Sequence, residues 1–73
     1  MINNLKNGDW VSANTFEGEY IEGEVIRPNY NEEYAYIDVN WMPADDVVSQ
    51  MMFQVKWDSV KVVEKSNFIF NAR

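Results

Sequence analysis

The side chains able to do chemistry in this chain are carboxylates and aromatic rings. Histidine and cysteine are both absent, which excludes a His/Cys zinc site and any Ser–His or Cys–His nucleophile. Asp45-Asp46 lacks the alternating acids and central glycine of a calcium loop. A carboxylate-only active site needs two acids held across a cleft, and 73 residues leave little room for one. The expectation is a protein that is not an enzyme and holds no cofactor and no metal.

Two sets of residues remain as candidates for binding. Glu17, Glu19, Glu22 and Glu24 lie close together, and like charges this close oppose folding slightly, so a basic partner is one reason to keep them. The plainer reading is a solvated face that maintains solubility. Trp10, Tyr20, Tyr34 and Tyr36 form the second set, with Asp38 beside them in sequence. Rigid aromatic rings on a sheet surface anchor interfaces at low conformational-entropy cost. Their plainer role is cross-strand pairing that steadies a small sheet.

Charge is distributed unevenly around these candidates. Between Asp9 and Asp46 stand ten acids and one base, Arg27, whereas the bases Lys56, Lys61, Lys65 and Arg73 follow later. Phosphate binding needs clustered Lys and Arg, because counterion release drives it. The main body of the chain therefore argues against direct contact with a nucleic acid and for a protein with a basic surface. No apolar run approaches the ~20 residues of a membrane span, and no signal peptide is evident. The expectation is a cytoplasmic protein that does not engage a membrane.

Strands must position these residues. Apolar residues recur at every second position in runs near residues 9–15, 20–27, 34–41, 51–57 and 60–64, separated by Gly, Pro, Asn and Glu. These registers put Val11, Ala13, Ile21, Val25, Ile37, Val39, Phe53, Val55 and Val60 in the core. They put Tyr34, Tyr36, Asp38 and Asn40 on the outer face beside Tyr20 or Trp10 of neighbouring strands, and Glu22 and Glu24 together on one face of the second strand. Gly18 suits a turn with positive φ, and Gly23 within a strand marks a bend where another backbone comes close. Pro28 ends the second strand. Met42 to Gln50 reads either as one helical turn, with Pro43 in its first turn, or as a long loop, and Asp58-Ser59 suits a 3₁₀ turn. The unit runs from residue 8 to 64, preceded by a lead-in (1–7) in which Ile2 and Leu5 are anchors. A tail (65–73) follows, and its Phe68-Ile69-Phe70 must dock as an extra strand or act as an arm.

Gly8-Asp9-x-Val11-x-Ala13, Tyr20-Ile21-x-Gly23-x-Val25, Tyr36-x-x-Val39 and Val55-x-x-x-x-Val60 resemble the pattern of Tudor and agenet domains. KOW and chromo-barrel types share many of these positions. The resemblance spans residues 8–64 and implies an all-β fold, a single five-stranded antiparallel SH3-like barrel with a 3₁₀ turn before the last strand. It also implies an aromatic cage, for which Trp10, Tyr20, Tyr34 and Tyr36 would supply walls and Asp38 or Asn40 the polar member. The functional expectation is a small interaction module that binds another protein through Trp10, Tyr20, Glu22, Glu24, Tyr34, Tyr36 and Asp38. Three alternatives stay open. One is a nucleic-acid-associated module using the basic C-terminal part. Another is an acidic imitation of DNA phosphates, as in some small phage proteins. The last is an assembly protein working through its Phe68–Phe70 arm. The small size and the composition suit a bacterial or phage protein.

Overall fold

Residues 4–42 and 47–71 are described by the structure, a computed structural model. Six strands follow in chain order: β1 (Trp10–Asn14), β2 (Tyr20–Ile26), β3 (Tyr34–Met42), β4 (Ser49–Lys56), β5 (Lys61–Val62) and β6 (Phe70–Asn71). A 3₁₀ turn, Trp57–Ser59, separates β4 from β5. The strands form an antiparallel sheet in the order β4-β3-β2-β1-β5, and β6 pairs with β3. Of the segment 42–50 expected as a helical turn or loop, Met42 ends β3 and Ser49 and Gln50 open β4, while Pro43, Ala44, Asp45 and Asp46 lie outside the described residues, as do Ile2 and Arg73.

The alternation of apolar residues sets the inner face. Val11, Ala13, Ile21, Val25, Ala35, Ile37, Val39 and Val55 are buried in one cluster with Trp57. Phe53 and Val60, expected in the core, are only partly buried and pack against it. Phe53 sits on β4, an end strand of the sheet, and shares its cover with Phe70 at a ring distance of 5.3 Å. Trp10 and Ser12 are buried as well, although they point away from Val11 and Ala13. β1 is thus covered on both faces, which alternation in its own sequence could not reveal.

Turn chemistry fixes the connections. Between β1 and β2 the Thr15 hydroxyl accepts from the amides of Glu17 and Glu19 at 3.3 and 3.0 Å, and Gly18 takes a φ of +88°. Between β2 and β3, the Asn31 side chain accepts from the amides of Glu33 and Tyr34 at 2.7 and 3.0 Å. The Asn31 carbonyl accepts from the Trp57 indole at 2.9 Å, which ties that turn to the 3₁₀ segment. Leu5 packs on the core, and Gly8 donates its amide to the Val25 carbonyl at 2.9 Å, so the lead-in lies against β2.

β2 changes partners along its length. All of β2 from Tyr20 to Glu24 pairs with β1, whereas only Glu24, Val25 and Ile26 pair with β3, opposite Asp38, Ile37 and Tyr36. Gly23 stands at the point of divergence. A Cβ there would be driven into the Asp38 carbonyl and come within 2.9 Å of Ile37 Cγ2, so the close backbone approach requires glycine. Past that point β6 takes up position beside β3, with Trp41 opposite Phe70 and Met42 opposite Asn71.

Two expectations are corrected, the number of strands and their bounds. Among the described residues the sheet has six strands rather than five, because residues 70–71 add one, and that pair is parallel. The described ladder is not closed: β4 and β5 lie at its two ends and are joined in sequence by the 3₁₀ turn. The fourth run starts at Ser49 and yields Trp57 to the 3₁₀ turn, and the fifth shrinks to Lys61–Val62.

Candidate binding surface

The expected site residues separate into four places. The first is built on Glu22, which projects from the outer face of β2. Its Oε1 accepts from the Trp10 indole at 3.0 Å and from the Ser66 hydroxyl at 2.5 Å, and its Oε2 accepts from the Tyr20 hydroxyl at 2.5 Å. Donors arranged around a charged carboxylate stabilise the ionised form, so Ser66 first, then Trp10 and Tyr20, hold the Glu22 carboxyl below its ordinary value. The same bond to Glu22 raises the Tyr20 phenol, because ionising it would lose the donor and add a second negative charge. The Tyr20 ring also meets Phe68 edge-on at 5.9 Å, and Lys65 Nζ stands 5.7 Å from the centre of the Trp10 ring. Trp10, Tyr20 and Glu22 are therefore engaged by the chain's own tail.

The second place lies one row further along the sheet. Glu24 and Asp38 are direct cross-strand partners and line a polar groove of about 330 Å³ with Trp10, Asn40, Gln50 and Lys65. Two carboxylates opposite each other disfavour the pairing unless a cation is near. Among the described residues, Lys65 is the one base that lines this groove.

The third place is an apolar groove of about 430 Å³ lined by Ile26, Arg27, Tyr30, Tyr36 and Met52. Tyr36 is opposite Ile26 on one side and Gln54 on the other, while Met52 faces Asp38 in the next row. Tyr30 meets Tyr36 edge-on at 5.7 Å and carries the Arg27 guanidinium 5.7 Å from its ring centre. Tyr30 and Met52 remain 64 % and 59 % exposed, so this wall is open to solvent. Arg27 holds a φ of +48° immediately before Pro28, a position at which a bulky L residue is strained. Its amide donates to Asn7 Oδ1 at 2.6 Å and its carbonyl accepts from Tyr30 at 3.0 Å, and these bonds hold the conformation.

Tyr34 occupies the fourth place. It meets Phe16 edge-on at 5.8 Å and lines a separate hollow with Glu32, Glu33, Lys56, Trp57 and Asp58. Tyr34 and Tyr36 do project from the outer face, but their ring partners are Phe16 and Tyr30 rather than Tyr20 or Trp10. Trp10 and Tyr20 converge on Glu22, whereas Tyr34 and Tyr36 pair with Phe16 and Tyr30. Among the described residues, no group of three or more acids is placed to hold a metal ion. No helix among them is long and apolar enough to cross a membrane.

Sequence reasoning missed Ile26, Arg27, Tyr30, Met52 and Ser66. Ile26 and Met52 have the same parity as their strands' outer residues, so alternation carried part of that signal. What placed them beside Tyr36 was cross-strand register, which one sequence does not state. Tyr30 stands in a turn, outside any periodic pattern. No family model matches the chain, and neither does any curated protein or solved structure.

Proposed function

We propose that this chain is a non-enzymatic interaction module, an SH3-like small barrel of Tudor type, that binds an extended segment of another protein. The segment carries a basic side chain next to an apolar one. The 3₁₀ turn before β5 and the close approach of the Asp38 backbone to Gly23 support the barrel reading. The observation that carries the function is the adjacency of two outer-face rows, Ile26–Tyr36–Gln54 and Glu24–Asp38–Met52. Rows of one face are two residues apart along a strand, about 7 Å. An apolar side chain seated against Ile26, Tyr36, Tyr30 and Met52 places a neighbouring cation over Glu24 and Asp38. Aromatic and Met walls hold such a segment, and the acids steer it and set its orientation.

The bases favour this reading over a nucleic-acid partner. Lys65 lies in the groove with Glu24 and Asp38, and Lys56 shares a hollow with Glu32, Glu33 and Asp58. A base among acids offers little to a phosphate backbone. Titrating the ¹⁵N-labelled chain with Lys- and Arg-containing apolar peptides, and separately with an oligonucleotide, tests the proposal. Peptide-dependent shifts centred on Ile26, Tyr30, Tyr36 and Met52 are expected. Shifts confined to Lys56, Lys61 and Lys65 on adding the oligonucleotide would overturn it.

A further inference from the structure

The tail is a bound ligand that happens to belong to the same chain. Lys65 lies over Trp10, the Ser66 hydroxyl donates to Glu22, Phe68 packs edge-on to Tyr20, and Phe70 packs edge-on to Phe53. Every one of these anchors joins a contiguous tail to residues of β1, β2 and β4, and the ladder of β6 adds β3. Residues 63–69 form no strand of their own, and β6 is two residues long. Opposite Phe70, the Trp41 Nε1 is buried without an acceptor among the described residues, so among these residues the seat holds its occupant without satisfying all of its own polar groups.

We infer that this groove also receives the tail of a second copy of the chain, giving a strand-exchanged dimer in which each tail completes the partner's sheet. Two arguments select a second copy as the occupant. The groove accepts this sequence with every anchor in place, so exchange needs no new contact surface, which is why it is a low-cost route to dimers. Charge favours it too. Two bodies rich in acids repel, whereas residues 65–71 contain one base and no acid and enter a groove bearing Glu22, Glu24 and Asp38. In one molecule the tail competes at an effective concentration on the order of millimolar. Exchange therefore gains ground as the chain concentration approaches that value.

The test mixes ¹⁵N-labelled chain with unlabelled Asn71→Cys chain carrying a spin label, from dilute solution up to ~1 mM. Broadening of the labelled copy's Trp41, Phe53 and Tyr20 amide signals is expected, growing with concentration together with a doubled sedimentation mass. Absence of broadening at the highest concentration, or broadening on another face, overturns the inference. A second measurement avoids the label. A Glu22→Lys chain, with an intact tail, is mixed with a Phe68→Ala, Phe70→Ala chain, with an intact groove. A one-to-one heterodimer in native mass spectrometry supports exchange; two folded variants that stay monomeric overturn it. If a peptide of residues 65–71 binds the unmodified chain while chains do not exchange, the second-copy assignment also fails and the groove seats a segment of a different protein.

Discussion

At the scale of single residues, Gly23 and Glu22 do most to determine how β2 is used. Gly23 lets the Asp38 backbone come close, and a methyl group has nowhere to go except into that carbonyl. Gly23→Ala should cost about 1–3 kcal/mol as an overpacked site, lowering the melting temperature by roughly 4–8 °C per kcal/mol in a domain of this size. Thermal unfolding followed by circular dichroism checks this, and Gly8→Ala is the control for φ alone, since no atom crowds a Cβ at Gly8. Glu22 makes a pH prediction. Its folded-state pKa lies below the ordinary value because Ser66, Trp10 and Tyr20 donate to it. Its contribution is therefore complete above the unfolded carboxylate value, about 4.3. It fades as pH falls through the lower folded value. Melting temperatures measured from neutral to acid pH should fall less steeply in Glu22→Gln than in the parent. Equal slopes would show that the three donors do not discriminate between the two protonation states.

At the scale of elements, the strands β1 to β4 were legible because their inner faces alternate cleanly and their turns carry Gly, Pro and Asn. The 3₁₀ turn was legible from Asp58-Ser59, although it begins one residue earlier, at Trp57. The sixth strand was foreseen only as one fate of an apolar tail, because Phe70 pairs with Trp41 through a register that no local pattern encodes. Burial of Trp10 was missed for a related reason: Lys65 of the tail, which lies over its ring, is remote in sequence. As for the candidate site, sequence reasoning found the acids and tyrosines but not their grouping, which follows from register and from the tail occupying Glu22. The tail's contribution can be measured. Phe70→Ala should cost roughly 1–3 kcal/mol, below the range for a fully buried Phe, because Phe70 is only partly buried. Hydrogen exchange should show the amides of Trp41 and Met42 losing protection while those paired between β1 and β2 keep theirs. Uniform loss across the sheet would mean that the tail is integral to the global fold.

At the scale of the whole molecule, an acidic body meets a short basic, aromatic segment, and the outer face of β2, β3 and β4 offers an apolar groove next to a pair of acids. If a peptide binds there, the aromatic residues and the acids should affect different rate constants. Tyr36→Ala should mainly speed dissociation, and Glu24→Lys should mainly slow association and flatten its salt dependence. Surface plasmon resonance with the best peptide from the titration separates the two effects. Tyr34→Ala is the control, because Tyr34 lies in a different hollow with Glu32 and Lys56. Equal effects of Tyr34→Ala and Tyr36→Ala would remove the groove at Tyr36 as the seat.

The order of pairing has a kinetic consequence. β2, β3 and β4 are joined as successive hairpins, whereas β5 reaches β1 through Val62 opposite Val11 and Lys61 opposite Ser12, pairs 51 and 49 residues apart in the chain. Closing a long loop costs entropy before its contacts return anything. The central hairpins should therefore be organised in the folding transition state, with the two chain ends arriving afterwards. In stopped-flow experiments, Ile37→Val and Val55→Ala should slow folding, whereas Val62→Ala and Phe70→Ala should chiefly speed unfolding. The meeting of β1 and β5 would then be the last step to form and the first to be lost, and the molecule would open from its termini inward.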